Sequence, residues 1–589
     1  MKYSTPKLKE STFENDGILY FAQRLEEMLF DYSIDLFRMP LLNTHGLSHE
    51  YCAIAIKVRQ SGVKEYQLTQ IHQELVDSLK HDIVLKDCWG QESIDRIVKS
   101  FGSSAKEEIL STISYIDATF SKGTYYFWCE QTLKRYANQP KQKKKLESAI
   151  RCWIPELLSL GYSADYVYCE LKKSFFSTKP VSAETLDDFL ALFNFKSHKY
   201  SVYFSVSNVV LVFKDILQKR LNVQFEDDGN FLHYKTDRKK TIIFFNKVKA
   251  PCPNTAAKIA YQRLDLFFSF YKFVGNKSRF SIQKKAMVLE TDGKPIFVDA
   301  HKFSYSIIES IDFENIGRTS DSMLTGLLIN AELEYSLLRK SIELHNTALA
   351  VPDLKSGFLN LWASIEVLFQ PTKEESKFES VLKNVIPILK KDYINSIVGN
   401  ILTGLQDNIS QEEYHSILDS VVEVGCENKK IFYLLFLPQY SELRGKCFDA
   451  LTNFPVLRSR IALLAEMNTT KKLNTYIDKY IQRIEWHLYR MYRTRNAIIH
   501  SGEVPSNIKY LGEHLHSYVD STLSEFLVKL SGDTAFKSVS NVITDVKFAT
   551  NNMDNILSQE QQLNESIVNM LIHPEIGHVM HCEQHMSEQ

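Results

Sequence analysis

The segment MYRTRNAIIHSGE, residues 491–503, decides how we interpret the C-terminal part of this chain. It closes a long stretch whose apolar residues recur at helical spacing, and Gly502 is a typical residue for ending a helix. Basic side chains are favourable there, because the C-terminal end of a helix dipole is negative. Helix termination alone does not explain Arg495, Asn496 and His500 within six positions, so these residues are also candidates for a catalytic site.

The overall composition is that of a folded protein with several domains. The chain has 589 residues, which predicts two to four domains. Its hydrophobic content of 44% and charged content of 24% are typical of globular proteins. The net charge is −1, so any contact with RNA must come from a local patch of positive charge.

Cysteines and apolar runs indicate a cytoplasmic protein without membrane contact. None of the nine cysteines forms a C-x-x-C pair, which disfavours a disulfide framework or a zinc ribbon. The first residues, MKYSTPKLKESTFENDG, lack the apolar core of a signal peptide. The longest apolar runs, VVLVF (209–213) and YLLFL (433–437), are too short to span a bilayer.

Periodicity divides the chain into a mainly α protein with a central α+β module. Residues 1–195 have helical spacing, and the lysine-rich tract at 139–147 predicts an exposed turn and a helix start. These lysines suit a solvated loop and also offer a contact for a polyanion. Residues 196–318 contain short segments rich in β-branched and aromatic residues around one helix. Neither a phosphate-binding loop nor a dinucleotide fingerprint is present, so this module shows no recognisable enzyme chemistry.

Helical patterns return in residues 319–530, where Thr319 or Ser320 is a suitable first cap. We expect a long helix over about 471–500, a break at Pro505 and a last helix after it. Residues 531–589 are polar, and we expect a peripheral tail.

An arginine followed within seven positions by a histidine is a weak signal on its own, expected about once or twice by chance. The chain contains two other such pairs, Arg38 with His45 and Arg339 with His345. Context distinguishes Arg495 and His500, because Asn496 follows the arginine and a β-branched apolar pair precedes the histidine.

Two segments resemble a known family. LYRMYRTRNAIIHSGE (488–503) matches the R-N-x-x-x-H core of HEPN domains, the higher eukaryote and prokaryote nucleotide-binding family. FLNLWASIEVLF (358–369) resembles the preceding helix of the Apea-like branch. The resemblance covers roughly residues 320–530. It implies a C-terminal α-helical bundle that forms a homodimer, in which two R-x-x-x-x-H motifs line one cleft.

The resemblance also implies a function, a metal-independent endoribonuclease without a cofactor. Prokaryotic antiviral proteins of the abortive-infection type have this architecture. By that analogy, residues 1–195 would act as a sensor and a phage-derived molecule would be the activator. The alternatives are a non-catalytic HEPN module that binds nucleotide, RNA or protein, and a metal-dependent nuclease that uses the histidines of the C-terminal tail.

The chemistry of RNA cleavage suits these residue types. We expect His500 to transfer protons and Arg495 to bind the phosphate and stabilise the transition state. Asn496 would orient either the imidazole or the phosphate by a hydrogen bond. Asn496 and His500 lie about 40° apart on a helical wheel, but Arg495 and His500 lie about 140° apart. The arginine's length, a loosened last turn or a second chain must close that gap.

Glu366 is the fourth candidate residue. It follows Trp362 by one helical turn in an apolar run, and a carboxylate in that setting needs a cationic partner. We expect it to pair with Arg495, the alternative being a helix-edge residue that meets water.

Histidines elsewhere are weaker candidates. His514 and His516 are best interpreted as surface residues. The tail contains His573, His578, His581, Cys582 and His585, whose spacing suits a metal, although adventitious binding by a frayed tail fits as well. We therefore assign no metal site.

Overall fold

The computed structural model of this chain is mainly helical, with one small antiparallel sheet. It describes residues 3–5, 15–30, 33–61, 65–121, 123–177, 181–226, 240–274, 282–283, 285–290, 293–299, 333–351, 353–421, 426–531 and 538–572. The predicted boundary between residues 318 and 319, the cap at Thr319 or Ser320, and the histidines of the tail lie outside these residues.

The N-terminal region is helical, as its periodicity predicts. Its helices are α1 (Asp16–Leu29), α2 (Thr44–Ser61), α3 (Tyr66–His81), α4 (Ile83–Trp89), α5 (Gln91–Phe101), α6 (Lys106–Phe120), α7 (Thr124–Ala137), α8 (Lys143–Ser159), α9 (Ala164–Phe175) and α10 (Ala183–Ala191). The rings of Phe21, Trp153 and Phe189 lie within 6.3 Å of one another and join α1, α8 and α10. The lysine-rich tract forms a 3-10 turn at Pro140–Gln142 and then starts α8, as predicted.

The central module is an antiparallel sheet with a helix on one face, which confirms the predicted α+β class. Its elements are β1 (His198–Ser207), α11 (Lys214–Leu221), β2 (Val223–Glu226), β3 (Lys240–Ala250), α12 (Pro253–Val274), β4 (Lys285–Glu290) and β5 (Ile296–Asp299). The strand order is β2-β3-β1-β4-β5. Ala256, Ala257 and Ala260 are fully buried on α12, because small side chains let the helix approach the sheet closely.

The C-terminal region is again helical. Its helices are α13 (Leu333–Ala350), α14 (Leu354–Leu368), α15 (Lys377–Asn408), α16 (Gln411–Leu418), α17 (Glu427–Phe436), α18 (Ser441–Ala450), α19 (Pro455–Ala465), α20 (Thr470–Ser501), α21 (Ile508–Ser531), α22 (Val539–Ser558) and α23 (Glu565–Leu571). The predicted long helix is α20. Thr469 caps its first turn, and Gly502, in the left-handed conformation with φ 70°, ends it.

The expectation of a peripheral polar tail is wrong for residues 538–572. These residues form α22 and α23, which bury Val542, Val546 and Met553. The polar side chains lie on the outer face of α22, and its apolar residues recur at helical spacing. The average polarity of the segment therefore concealed an amphipathic helix.

The helical regions on either side of the sheet share one apolar core. That core combines residues of α1 to α10 with residues 393–477 and 553–571. A second core holds the rest of the C-terminal helices. The helices α15 and α20 are each 32 residues long and contribute to both cores, so they connect the two halves of the molecule.

Buried ion pairs fix α20 against the N-terminal helices. Arg490 lies 2.7 Å from Glu50 on α2 and 2.6 Å from Glu74 on α3, and its side chain is only 3% exposed. Burial favours the neutral form of Glu50, but Arg490 and Arg493 outweigh it and lower the pKa of Glu50 to about 2. A charge buried this deeply must keep its partners.

We therefore expect Arg490→Met to reduce the free energy of unfolding by about 3–5 kcal/mol, because two buried carboxylates lose their shared cation. Chemical denaturation measures this loss. The control is Arg96→Ala, which breaks an exposed ion pair with Glu92 on α5 and should change stability little. Equal effects of the two substitutions would contradict the assignment of Arg490 as an anchor.

Candidate functional site

The last two turns of α20 carry Arg495, Asn496 and His500. The helix continues without interruption to Ser501. The last turn is therefore not loosened, which removes one of the three ways to bring Arg495 and His500 together. On a regular helix their side chains leave about 140° apart.

Arg495 is held in place by two neighbours. Its Nη1 donates a hydrogen bond to Asn496 Oδ1 at 3.1 Å, and its Nη2 lies 3.7 Å from Glu366 Oε2 on α14. The Arg495 side chain is 28% exposed, whereas that of Glu366 is 13% exposed. The ion pair expected from the sequence is thus present, on an arginine that remains partly accessible to solvent.

Aromatic packing places Glu366 opposite Arg495. The Trp362 ring, one turn before Glu366, is 1% exposed and lies 6.0 Å from the ring of Tyr492 on α20. Tyr492 also stacks on Phe378 of α15 at 4.4 Å. The aromatic residues of the two segments that resemble HEPN domains therefore form the contact between α14 and α20.

His500 differs from Arg495 in having no fixed neighbour. Its side chain is exposed, and within the described part of the chain no hydrogen bond or ion pair holds its imidazole. Two apolar side chains beside it are also exposed, Ile499 at 49% and Val504 at 45%. These side chains are therefore accessible to another molecule.

The structure brings three of the four predicted residues into contact. Arg495 directs its guanidinium to Glu366 and Asn496. His500, exposed at the end of the helix, makes no hydrogen bond or ion pair with them in the described part of the chain.

The expectation that His514 and His516 are surface residues is wrong. Both lie on α21 and are 2% and 3% exposed. His514 binds Asp35 through Nδ1, and His516 Nε2 lies 2.9 Å from His345 Nε2 on α13. A histidine followed by an aspartate four residues later, as in His516 and Asp520, was the available signal that sequence reasoning missed.

Two clusters have side chains of the types that bind metals. In the first, Asp35, His487 and His514 are buried, and Asp35 also pairs with Arg483 at 2.7 Å. Burial raises the pKa of Asp35, but Arg483 and His514 outweigh it and lower that pKa. The guanidinium already neutralises the carboxylate, which disfavours a cation there.

The second cluster is His345, His516 and Asp520, near the surface. Asp520 lies 2.9 Å from His345 Nε2 and 3.2 Å from His516 Nε2. Burial raises the pKa of this carboxylate, but hydrogen bonds from the two histidines lower it below its usual value. Two imidazoles and a carboxylate match the ligand types that zinc prefers.

Comparison with known proteins identified no relative of this chain. No protein-family model, no curated protein and no solved structure matches this chain. The HEPN resemblance therefore stays a prediction carried by two segments of sequence. Among the helices that the structure describes, none has both the length and the apolar character needed to cross a bilayer.

The contacts of α14 predict a clear difference between two neighbouring substitutions. Trp362→Ala should cost about 3–5 kcal/mol of stability, because it opens a cavity in the core. Glu366→Ala should cost less than about 1 kcal/mol, because a partly exposed ion pair contributes little. Thermal or chemical unfolding of both variants measures the difference. A large loss from Glu366→Ala would make this carboxylate a structural residue rather than one that positions Arg495.

Proposed function

We propose that this protein is a metal-independent endoribonuclease whose active site forms when two chains bring their α20 ends together. The observation that supports it is that Arg495 and His500 have different surroundings. Arg495 is oriented by Glu366 and Asn496 and remains partly accessible to solvent, while His500 stands exposed beside Ile499 and Val504. A dimer formed through this surface would place the histidine of one chain near the arginine of the other.

The reaction needs two proton transfers and one cation. His500 of one chain takes the proton from the 2′-hydroxyl, whose oxygen attacks the adjacent phosphorus. The bond to the 5′-oxygen breaks, and a protonated imidazole supplies the proton that this leaving group requires. The products are a 2′,3′-cyclic phosphate and a free 5′-hydroxyl. Each composite site has one histidine, so the imidazole that takes up the first proton also returns it to the leaving group.

Arg495 stabilises the phosphorane, which carries more negative charge than the starting diester. A guanidinium is a cation with a planar set of donors that fits phosphate oxygens. Glu366 is a positioning residue, because it restricts the arginine to one orientation. Arg490 and Arg493 do not take this role, since Glu50 already pairs with both.

RNA cleavage in EDTA by the purified protein tests the proposal. We expect the wild type to leave 2′,3′-cyclic phosphate ends and to spare DNA, which lacks the attacking hydroxyl. Arg495→Ala and His500→Ala should each reduce the rate by about 100-fold or more. Mapping of product ends and rate measurements check both statements.

Matched controls distinguish the site from general charge effects. Arg96→Ala and His81→Ala remove an exposed arginine and an exposed histidine from the N-terminal helices and should leave the rate unchanged. Cleavage that EDTA abolishes would instead favour a metal-dependent nuclease, for which His345, His516 and Asp520 are the candidate ligands. RNA binding without turnover, under conditions that include infected-cell extract as a source of activator, would favour the non-catalytic module.

A mixing experiment tests whether the site is shared between chains. Arg495→Ala and His500→Ala chains, unfolded and refolded together, form mixed dimers in which one of the two composite sites has both wild-type residues. Statistical pairing in a two-fold dimer then predicts recovery of about one quarter of the wild-type activity. If each chain used its own arginine and histidine, mixing would restore nothing.

The role in antiviral defence that the resemblance implies is part of the same proposal. Unrestrained RNA cleavage would arrest the growth of the producing cell, so the resting protein must be inhibited. An N-terminal sensor and a phage-derived activator would satisfy this requirement.

A further inference from the structure

A large cavity opens far from Arg495, between α1, α8, α15, α19 and α20. Its volume is about 710 Å³, within the range typical of small-molecule sites. Along α20 it is lined by residues between Tyr476 and Arg483. Arg483 precedes Arg495 by twelve residues, or about 18 Å of helix, so the cavity is separate from the proposed ribonuclease site.

The walls of the cavity are strongly cationic. Four arginines and four lysines line it, against the carboxylates of Glu147 and Glu466. Three more carboxylates, those of Asp16, Glu27 and Asp35, pair with lining cations from behind the wall. Even when all five are counted, three positive charges remain. In a chain of net charge −1, this is a local concentration of charge that suits an anion.

Arg151 has the longest ion pair of the four lining arginines, and its side chain is 34% exposed. Its nearest carboxylate is Glu147, at 4.0 Å. That carboxylate already accepts hydrogen bonds from Nε and Nη2 of Arg24, at 2.9 and 3.0 Å. Burial lowers the pKa of Arg151 to about 10, an effect that Glu147 opposes only in part. An anionic ligand in the cavity would supply the missing charge.

Two exposed lysines also line the cavity. Lys141 comes from the 3-10 turn before α8, and Lys479 comes from α20. Both are exposed, and within the described ranges neither has a carboxylate at ion-pair distance. Lysines of this kind bind phosphate groups as point charges. The lysine-rich tract at 139–147 thus gains a second interpretation beside that of a solvated loop.

One wall is aromatic. The rings of Tyr393 and Tyr480 stack at 3.8 Å, and Tyr476 lies 5.8 Å from Tyr393. All three line the cavity. A planar aromatic ring of a ligand can pack against these tyrosine rings.

From this arrangement we infer that the cavity binds a nucleoside triphosphate. The phosphates contact Arg151, Lys141 and Lys479, and the base packs against the tyrosines. The size, the excess of three positive charges and the aromatic wall together favour this class of ligand over a simple anion. The inference does not rest on the proposed ribonuclease activity.

Calorimetric titration of the full-length protein with ATP, GTP, CTP and UTP tests it. We expect at least one of them to bind at one site per chain with a Kd below about 100 µM. Lys141→Ala combined with Lys479→Ala should weaken binding by about tenfold or more, and Arg151→Met should do the same. Lys472→Ala, on α20 but outside the cavity, should leave the affinity unchanged.

Two partial ligands and a short RNA identify what the site recognises. Adenosine should bind very weakly, and inorganic triphosphate should bind more weakly than the best nucleotide, because each lacks half of the contacts. Equal affinity for inorganic triphosphate would overturn the nucleotide assignment in favour of a polyphosphate site. Displacement of the nucleotide by a short RNA at lower concentration would assign the cavity to RNA instead. Absence of binding by all four nucleotides at millimolar concentration would overturn the inference.

Discussion

The rest of the structure depends on the pairing of buried charge along α20. Arg483 meets Asp35, and Arg490 meets Glu50 and Glu74, so one face of this helix is held by carboxylates from the first eighty residues of the chain. An unpaired charge in such a place costs several kcal/mol, which makes the position and rotation of α20 nearly unique. The position of every other residue on the helix follows from it, including Arg495 at one end and the wall of the cavity at the other.

Local features of the fold were predictable because they depend on neighbours in sequence. Gly502 ends α20 where it was expected to, since a glycine accepts the left-handed conformation that closes a helix. Apolar residues recur with a period of about 3.6 up to residue 195, and short segments rich in β-branched residues follow. This change predicted the position of the sheet. The ion pair of Glu366 with Arg495 was also predictable, because a carboxylate in an apolar run requires a cation and the motif supplied one.

Features that depend on distant residues were not predictable. Nothing near His514 indicates Asp35, which is 479 residues away, and polar residues such as histidine are usually exposed. The amphipathic helix at Val539–Ser558 was obscured by its many asparagines. The cavity needs five helices from distant parts of the chain, since Tyr393 of α15 lines it together with residues of α1, α8, α19 and α20. Only its lysine-rich segment could be recognised in the sequence. A pattern in sequence identifies which face of an element is polar, but not which other element meets it.

The rigidity of α20 has a consequence for how the proposed ribonuclease is controlled. Because the helix is regular to Ser501, the backbone positions of Arg495 and His500 lie about 140° apart around its axis. The proposed activity draws on a second α20 end, and the exposed Ile499 and Val504 would lie where two ends meet. The same helix forms a wall of the cationic cavity, so a ligand bound there contacts the element whose position decides whether two ends align. Inhibition in the resting protein therefore needs no separate blocking segment, since keeping two chains apart or misaligned is sufficient.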